Sequence, residues 1–124
     1  MALDGITVRN LAKELNFTLA GGQIQKIHQP DSQNLYFVIR KNGLEYPLAY
    51  SESMPFSHLR ICQGETPLNP ETPSSFCMLL RKYLIGGRIG EIKQIDWDRV
   101  IEITVDYQSG SKISSNRIIV ELTG

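Results

Sequence analysis

The sequence predicts an α+β domain, an antiparallel, sandwich-like sheet that carries two helices. Three observations predict it. Two stretches of 3.6-residue apolar periodicity are each closed by a glycine pair, Gly21-Gly22 and Gly86-Gly87. The segments after each pair alternate apolar and polar residues, as half-buried strands do. Short turn sequences such as Asn42-Gly43 join those segments closely enough for antiparallel hairpins. With 124 residues, 41% of them apolar, the chain is one domain with a small but real core.

The first helix is expected from Thr7 to about Ala20. Val8, Leu11, Ala12, Leu15 and Leu19 share one arc, Arg9, Asn10, Lys13 and Asn16 point away, and Asp4 or Thr7 can cap the start. Phe17 lies off the arc. A strand follows from Gln23 to Gln29, then one from Leu35 to Lys41 with Leu35, Phe37 and Ile39 on one face. Asn42-Gly43 turns the chain into Leu44–Tyr50, where Pro47 lacks an N–H and predicts an edge strand or a bulge. Ser51 to Ser75 reads as a long connection with Pro55, Pro67, Pro70 and Pro73, leaning acidic through Glu52, Glu65 and Glu71.

A second helix is expected from about Ser74 to Ile85, its main apolar face built of Phe76, Cys77, Leu79, Leu80, Tyr83 and Leu84. Met78 and Ile85 fall on the opposite side, which a simple surface helix does not favour. Strands follow over Arg88–Ile95, Arg99–Tyr107 and Lys112–Leu122. The order is helix, three strands, helix, three strands. The two halves share it without a convincing residue-level repeat.

Thirteen basic and thirteen acidic residues cancel, so any nucleic-acid footprint must be local. No run of apolar residues is long enough to span a membrane, and Met1–Gly5 shows no signal-peptide pattern; a cytoplasmic protein with reduced Cys62 and Cys77 is the expectation. His28 and His58 have no ligand-spaced neighbours, so no metal is expected. Both glycine pairs follow helices, not strands, so they act as stops and not as phosphate cradles. Ser114-Ser115 has no base partner. No cofactor and no enzymatic activity are expected.

Two local constellations remain. Arg81, Lys82, Arg88 and Lys93 stand against Glu91 alone; they fit a solvated helix end with dipole-friendly cations, and they fit a phosphate-contacting patch. Asp98-Arg99 fits ordinary turn chemistry, and it fits a carboxylate orienting a guanidinium toward a phosphate or a base edge. Trp97 beside them suits base stacking or the closing of a hairpin.

Several stretches resemble the N-terminal domain of the NFACT family, whose bacterial members are called RqcH and also go under the description fibronectin-binding protein A. They are Met1–Gly5, Gly21–Pro30, Phe76–Leu84, Gly87-Arg88-Ile89, Asp98-Arg99-Val100 and Val120–Gly124. The resemblance runs the whole length in order, so residues 1–124 are expected to be this domain, cut short at its C-terminal end. It implies a tRNA-binding module of a ribosome-associated quality-control factor. Such factors sit on the large ribosomal subunit, recruit tRNA (alanyl-tRNA) and direct untemplated alanine tailing of stalled chains.

The family's Asp-Arg pair matches Asp98 and Arg99, which with Arg81, Lys82 and Arg88 make up the expected nucleic-acid-binding residues. The resemblance also extends to the N-terminal β-sandwich of formamidopyrimidine-DNA glycosylases. Their nucleophile is an N-terminal proline, which Met1-Ala2 does not provide, so a DNA-repair activity is not supported. Arg60-Ile61-Cys62 departs from the family's Arg-Ile-His, and Glu121-Leu122-Thr123-Gly124 from its Glu-Leu-Met-Gly. Relatives continue into a helix-hairpin-helix region, a coiled coil and an RNA-binding module. Met78 and Ile85 would then face a missing neighbour, and an open strand edge near Leu122 would be a candidate dimer contact. A fibronectin- or fibrinogen-binding surface adhesin is the alternative function.

Overall fold

The computed structural model describes residues 5–53, 56–62 and 73–122. Its elements are α1 (Gly5–Leu19), β1 (Gln23–Asp31), β2 (Asn34–Lys41), β3 (Leu44–Ser53), β4 (Phe56–Ile61), α2 (Ser75–Leu84), β5 (Arg88–Gln94), β6 (Val100–Ser109) and β7 (Lys112–Glu121). Asp4 as a helix cap, and Pro55, Pro67, Pro70, Glu65 and Glu71 of the expected long connection, lie outside the described residues.

All seven strands are antiparallel neighbours in one sheet, in the order β4-β3-β2-β1-β5-β6-β7. The fold is α+β as expected, but the sheet is continuous. Its two wings turn their inner faces to a common core: Phe37, Leu48 and Leu59 from one wing line the same cavity as Ile103, Ile118 and Val120 from the other. β7 lies at one edge, as the sequence suggests for the region near Leu122, and Leu122 itself is buried, its N–H donating to the Arg99 carbonyl at 2.7 Å.

Four expectations need correction. Among the described residues seven strands form, not six, because Phe56–Ile61 pairs with β3 inside the segment read as a connection. Its inward positions are Ser57, Leu59 and the half-buried Ile61, too short a pattern with too polar a start to stand out. Thr7 sits within α1, which begins at Gly5. Pro47 lies in an interior strand. An antiparallel residue points its N–H and C=O at the same neighbour. The Pro47 carbonyl accepts from Cys62 just past the end of β4, so the missing N–H faces the place where pairing stops.

Finally, α2 buries a narrower face than its periodicity suggests. Ser74 caps it by accepting from the Cys77 N–H at 3.0 Å, and Cys77 and Leu84 are buried with Leu80 partly so, but Phe76, Leu79 and Tyr83 remain about half exposed. Met78 and Ile85 are exposed as expected, and so is Phe17.

The two halves are related by an approximate two-fold axis through the Gln23–Arg88 pair, where β1 meets β5. The bonds around it are reciprocal. Gly21 N–H donates to Ile89 O and Gly86 N–H to Ile24 O; Ile24 N–H donates to Gly87 O and Ile89 N–H to Gly22 O. The Gln23 side chain reaches Gly86 O, and the Arg88 side chain reaches Gly21 O, both at 3.1 Å. The helices are exchanged: α1 packs chiefly on β5, while α2 packs on β1. Asn16 of α1 accepts from the Ile92 N–H at 2.8 Å, and Arg81 of α2 donates to the Ile27 carbonyl at 3.0 Å.

Each of these equivalent positions lies 65 residues from its mate, and at that spacing both halves read Gly-Gly-X-Ile-X-X-Ile-X-Gln-X-Asp, over Gly21–Asp31 and Gly86–Asp96. Even the register shifts coincide, at Gln25 and at Gly90. The shared helix–strand order noted above is therefore a structural repeat.

Tyr107 ties β6 to the end of α2 within the second half. Its hydroxyl donates to the Ile85 carbonyl at 2.9 Å, and burial pushes its pKa above the ordinary tyrosine value of 10.0. A raised folded-state value means that the neutral phenol favours the fold. That contribution is complete below the unfolded value and is lost as pH rises through the folded one. Urea midpoints measured at about pH 9 and about pH 11 should fall more for the parent than for Tyr107→Phe; equal falls would refute this.

Candidate nucleic-acid interface

The β5–β6 turn holds the Asp98-Arg99 pair on a backbone fixed at several points. Ile95 N–H donates to Val100 O at 2.9 Å and Asp98 N–H to Ile95 O at 3.1 Å, while Asp96 takes a φ of 51°, which a short polar side chain tolerates. The Gln94 amide donates twice, to Gly5 O at 2.8 Å and to Asp98 O at 2.7 Å, and so staples the turn to the first turn of α1. Gly5 is required for this approach, since a Cβ there would stand 2.5 Å from the Trp97 carbonyl oxygen. The Arg99 carbonyl is held by Leu122.

On this rigid support the side chains face solvent. Trp97 is 64% exposed, and Asp98 and Arg99 are both exposed. The Arg9 guanidinium lies 4.6 Å from the centre of the Trp97 ring, within cation–π range. Two guanidiniums, one carboxylate and an indole thus share one corner of the molecule. Sequence marks Arg9 only as a solvent-side helix residue; nothing in its local pattern points to Trp97.

The remaining expected site residues lie elsewhere. Arg88 opens β5 at the end where it pairs with Asp106, whereas Arg99 precedes β6 at the other end of the same hairpin. Asp106, opposite Arg88, lies seven residue steps of roughly 3.3 Å from Arg99, which sets the two arginines about 23 Å apart. Arg88 spans the two-fold axis to Gly21, and Arg81 is half-buried and bonded to Ile27 O, so both guanidiniums bind backbone. Lys82 is exposed on α2, its ammonium 5.3 Å from the Tyr83 ring centre. Among the described residues no group of His, Cys, Asp and Glu is arranged to hold a metal, and Cys62 and Cys77 are free thiols. No helix of the described residues is long and apolar enough to cross a membrane.

Residues 4–124 match the family model of the NFACT N-terminal and middle domains, and the chain belongs to that family. It is 38% identical over 126 residues to the Rqc2 homolog RqcH of Streptococcus suis, covering all of this chain and 22% of that protein. It is 39% identical over 101 residues to RqcH of Bacillus subtilis, covering 82% of this chain and 18% of that protein. The ribosome quality control complex subunit NEMF of Homo sapiens is 29% identical over 117 residues, 94% of this chain and 10% of that protein.

Among solved structures, the N-terminal domain of fibronectin-binding protein PavA from Streptococcus pneumoniae superposes with a TM-score of 0.85 at 37% identity. That match covers 95% of this chain and 44% of the solved N-terminal-domain chain. The fibrinogen binding protein of Staphylococcus aureus superposes with a TM-score of 0.84 at 32% identity, covering 100% and 44%. The chain thus spans about a fifth of the length of the bacterial relatives it matches.

Proposed function

We propose that this chain is a non-catalytic, cytoplasmic tRNA-contacting module of a ribosome quality-control factor, and that its contact is the Trp97-Asp98-Arg99 corner with Arg9. The observation that carries the reading is the turn itself: a backbone stapled by Gln94 to α1, presenting an exposed indole, carboxylate and guanidinium. Pre-organised cations spend little entropy on binding a phosphate, and an exposed indole adds a stacking surface. The name of one relative, ribosome quality control complex subunit NEMF, supplies the setting; the large ribosomal subunit and a stalled chain are part of the proposal. Alanyl-tRNA recruitment and alanine tailing belong to the whole protein in this reading, and the β7 edge is the place where a second copy would add. The glycosylase likeness implied by the family resemblance carries no part of it.

Titration of the chain with unfractionated tRNA tests the site. Asp98→Ala combined with Arg99→Ala should weaken binding by about tenfold to a hundredfold, the worth of one or two charged hydrogen bonds. Unchanged affinity would remove the corner from the interface. The second reading, a fibronectin- or fibrinogen-binding domain, is favoured by the names of the solved neighbours. Saturable fibronectin binding that competing tRNA leaves untouched would establish it instead.

A further inference from the structure

The outer face of β1–β4 is distinct from that corner. Strand register places Lys26 beside Val38 and Pro47, His28 beside Tyr36, Ala49 and Arg60, and His58 beside Ser51, all on the side away from the core residues Ile27, Phe37, Leu48 and Leu59. Arg40 lies two residues further along β2. Lys26, Arg40 and Arg60 are exposed, and no ion pair engages them among the described residues. The floor is made of small side chains, Val38 and Ala49, each 4% exposed. Carboxylates stand only toward the ends of this face: Glu45 opposite Arg40, and Asp31, whose oxygens accept from the Asn34 amide.

The two-fold repeat supplies an internal control. Lys26, Tyr36 and Arg40 correspond to Glu91, Glu102 and Asp106, since the pairs Lys26–Val38, His28–Tyr36 and Gln23–Arg40 match Glu91–Thr104, Lys93–Glu102 and Arg88–Asp106. In the second half the charges are satisfied locally: Lys93 pairs with Glu91, Arg117 with Glu102, and Ser115 donates to Asp106. The same scaffold therefore carries one neutralised face and one basic face, in a protein whose charges cancel overall.

From this asymmetry we infer a second RNA contact: the outer face of β1–β4 binds a sugar–phosphate backbone through Lys26, Arg40 and Arg60, with Tyr36 available to a base. Lys26 and Arg60 stand on strands three spacings apart, about 14 Å at roughly 4.8 Å each. No single small anion bridges that distance, so an extended polyanion fits and a free phosphate does not. The half-buried Tyr36 ring in the middle of the face favours nucleic acid over an acidic peptide, because every base offers a face to stack. The choice of RNA rests on the proposed function; the charge asymmetry does not.

The test is the salt dependence of binding to unfractionated tRNA. Combining Lys26→Ala, Arg40→Ala and Arg60→Ala should flatten the slope of log K against log salt by about two to three, near 0.7–0.9 per lost phosphate contact. All three residues are exposed, and unchanged circular dichroism confirms folding. The control Lys93→Ala with Arg117→Ala, on the neutralised face, should leave the slope in place. If the triple variant keeps the parent's slope while Asp98→Ala with Arg99→Ala loses binding, this inference falls and the proposed corner stands. Loss of poly-glutamate binding without change in tRNA binding would overturn it in favour of an acidic protein partner.

Discussion

Gly22→Ala and Gly87→Ala should each destabilise the protein by about 2–3 kcal/mol, the cost of forcing atoms into a packed core. At Gly22 the added Cβ would stand 2.5 Å from Cγ2 of Ile39 and 3.0 Å from the Leu19 carbonyl oxygen. At Gly87 it would stand 2.4 Å from Cγ1 of Val105 and 3.2 Å from the Leu84 carbonyl oxygen. Ile39 and Val105 are wholly buried on the strand next to β1 and β5 respectively, so neither methyl can swing aside. The preceding glycines serve differently. Gly21 and Gly86 have φ of +88° and +89° with nothing near the would-be Cβ, so alanine there meets backbone strain of about 1–2 kcal/mol and no clash. Urea midpoints of the four single variants decide the matter. Matched losses within each pair follow from the two-fold repeat; a large loss at Gly22 with none at Gly87 would mean that only one half is built this way.

Much of this architecture is local and could be read directly. The arc Val8, Ala12, Leu15, Leu19 is the buried face of α1, and Asn42-Gly43 forms its turn with φ of 53° and 78°, as a two-residue hairpin requires. What escaped reading is what depends on partners. β4 has only Leu59 and the half-buried Ile61 as large inward residues, and is a strand because β3 offers it an edge. Pro47 is tolerated inside the sheet because a neighbour ends beside it, which no local rule reveals. The repeat is hard to see in sequence because its identities at this spacing are few, Leu15 and Leu19 with Leu80 and Leu84 and six residues within Gly21–Asp31 and Gly86–Asp96; reciprocal hydrogen bonds make it evident.

The candidate site divides in the same way. Asp98-Arg99 stands out through its family likeness, and the structure holds it exposed on a stapled turn. Arg81 and Arg88 were grouped with it by sequence proximity, yet helix and strand direction carry them to backbone carbonyls elsewhere. Arg9 joins it from the far end of the chain through Trp97. Lys26, Arg40 and Arg60 belong to three strands and never form a basic run in sequence. Only register puts them on one face.

Leu19→Ala is expected to have the largest effect of any single truncation on α1. Leu19 has 0% exposure at the end of the helix, just before the glycine pair, and a leucine deleted from such a site costs about 3–5 kcal/mol. That is a large share of the ~5–15 kcal/mol that holds an average domain together. Because α1 packs chiefly on β5 and α2 on β1, the loss should not stay in the first half. Trp97, the single tryptophan, sits on the β5–β6 turn of the second half, against Arg9 of α1. Its fluorescence and the far-ultraviolet dichroism of the whole chain should therefore shift to the same lower urea midpoint, because exchanged helices leave neither half a core of its own. A Trp97 transition that keeps the parent's midpoint while the dichroism moves would show that the halves fold separately, and the interlocking described by the two-fold axis would then be contact without cooperativity.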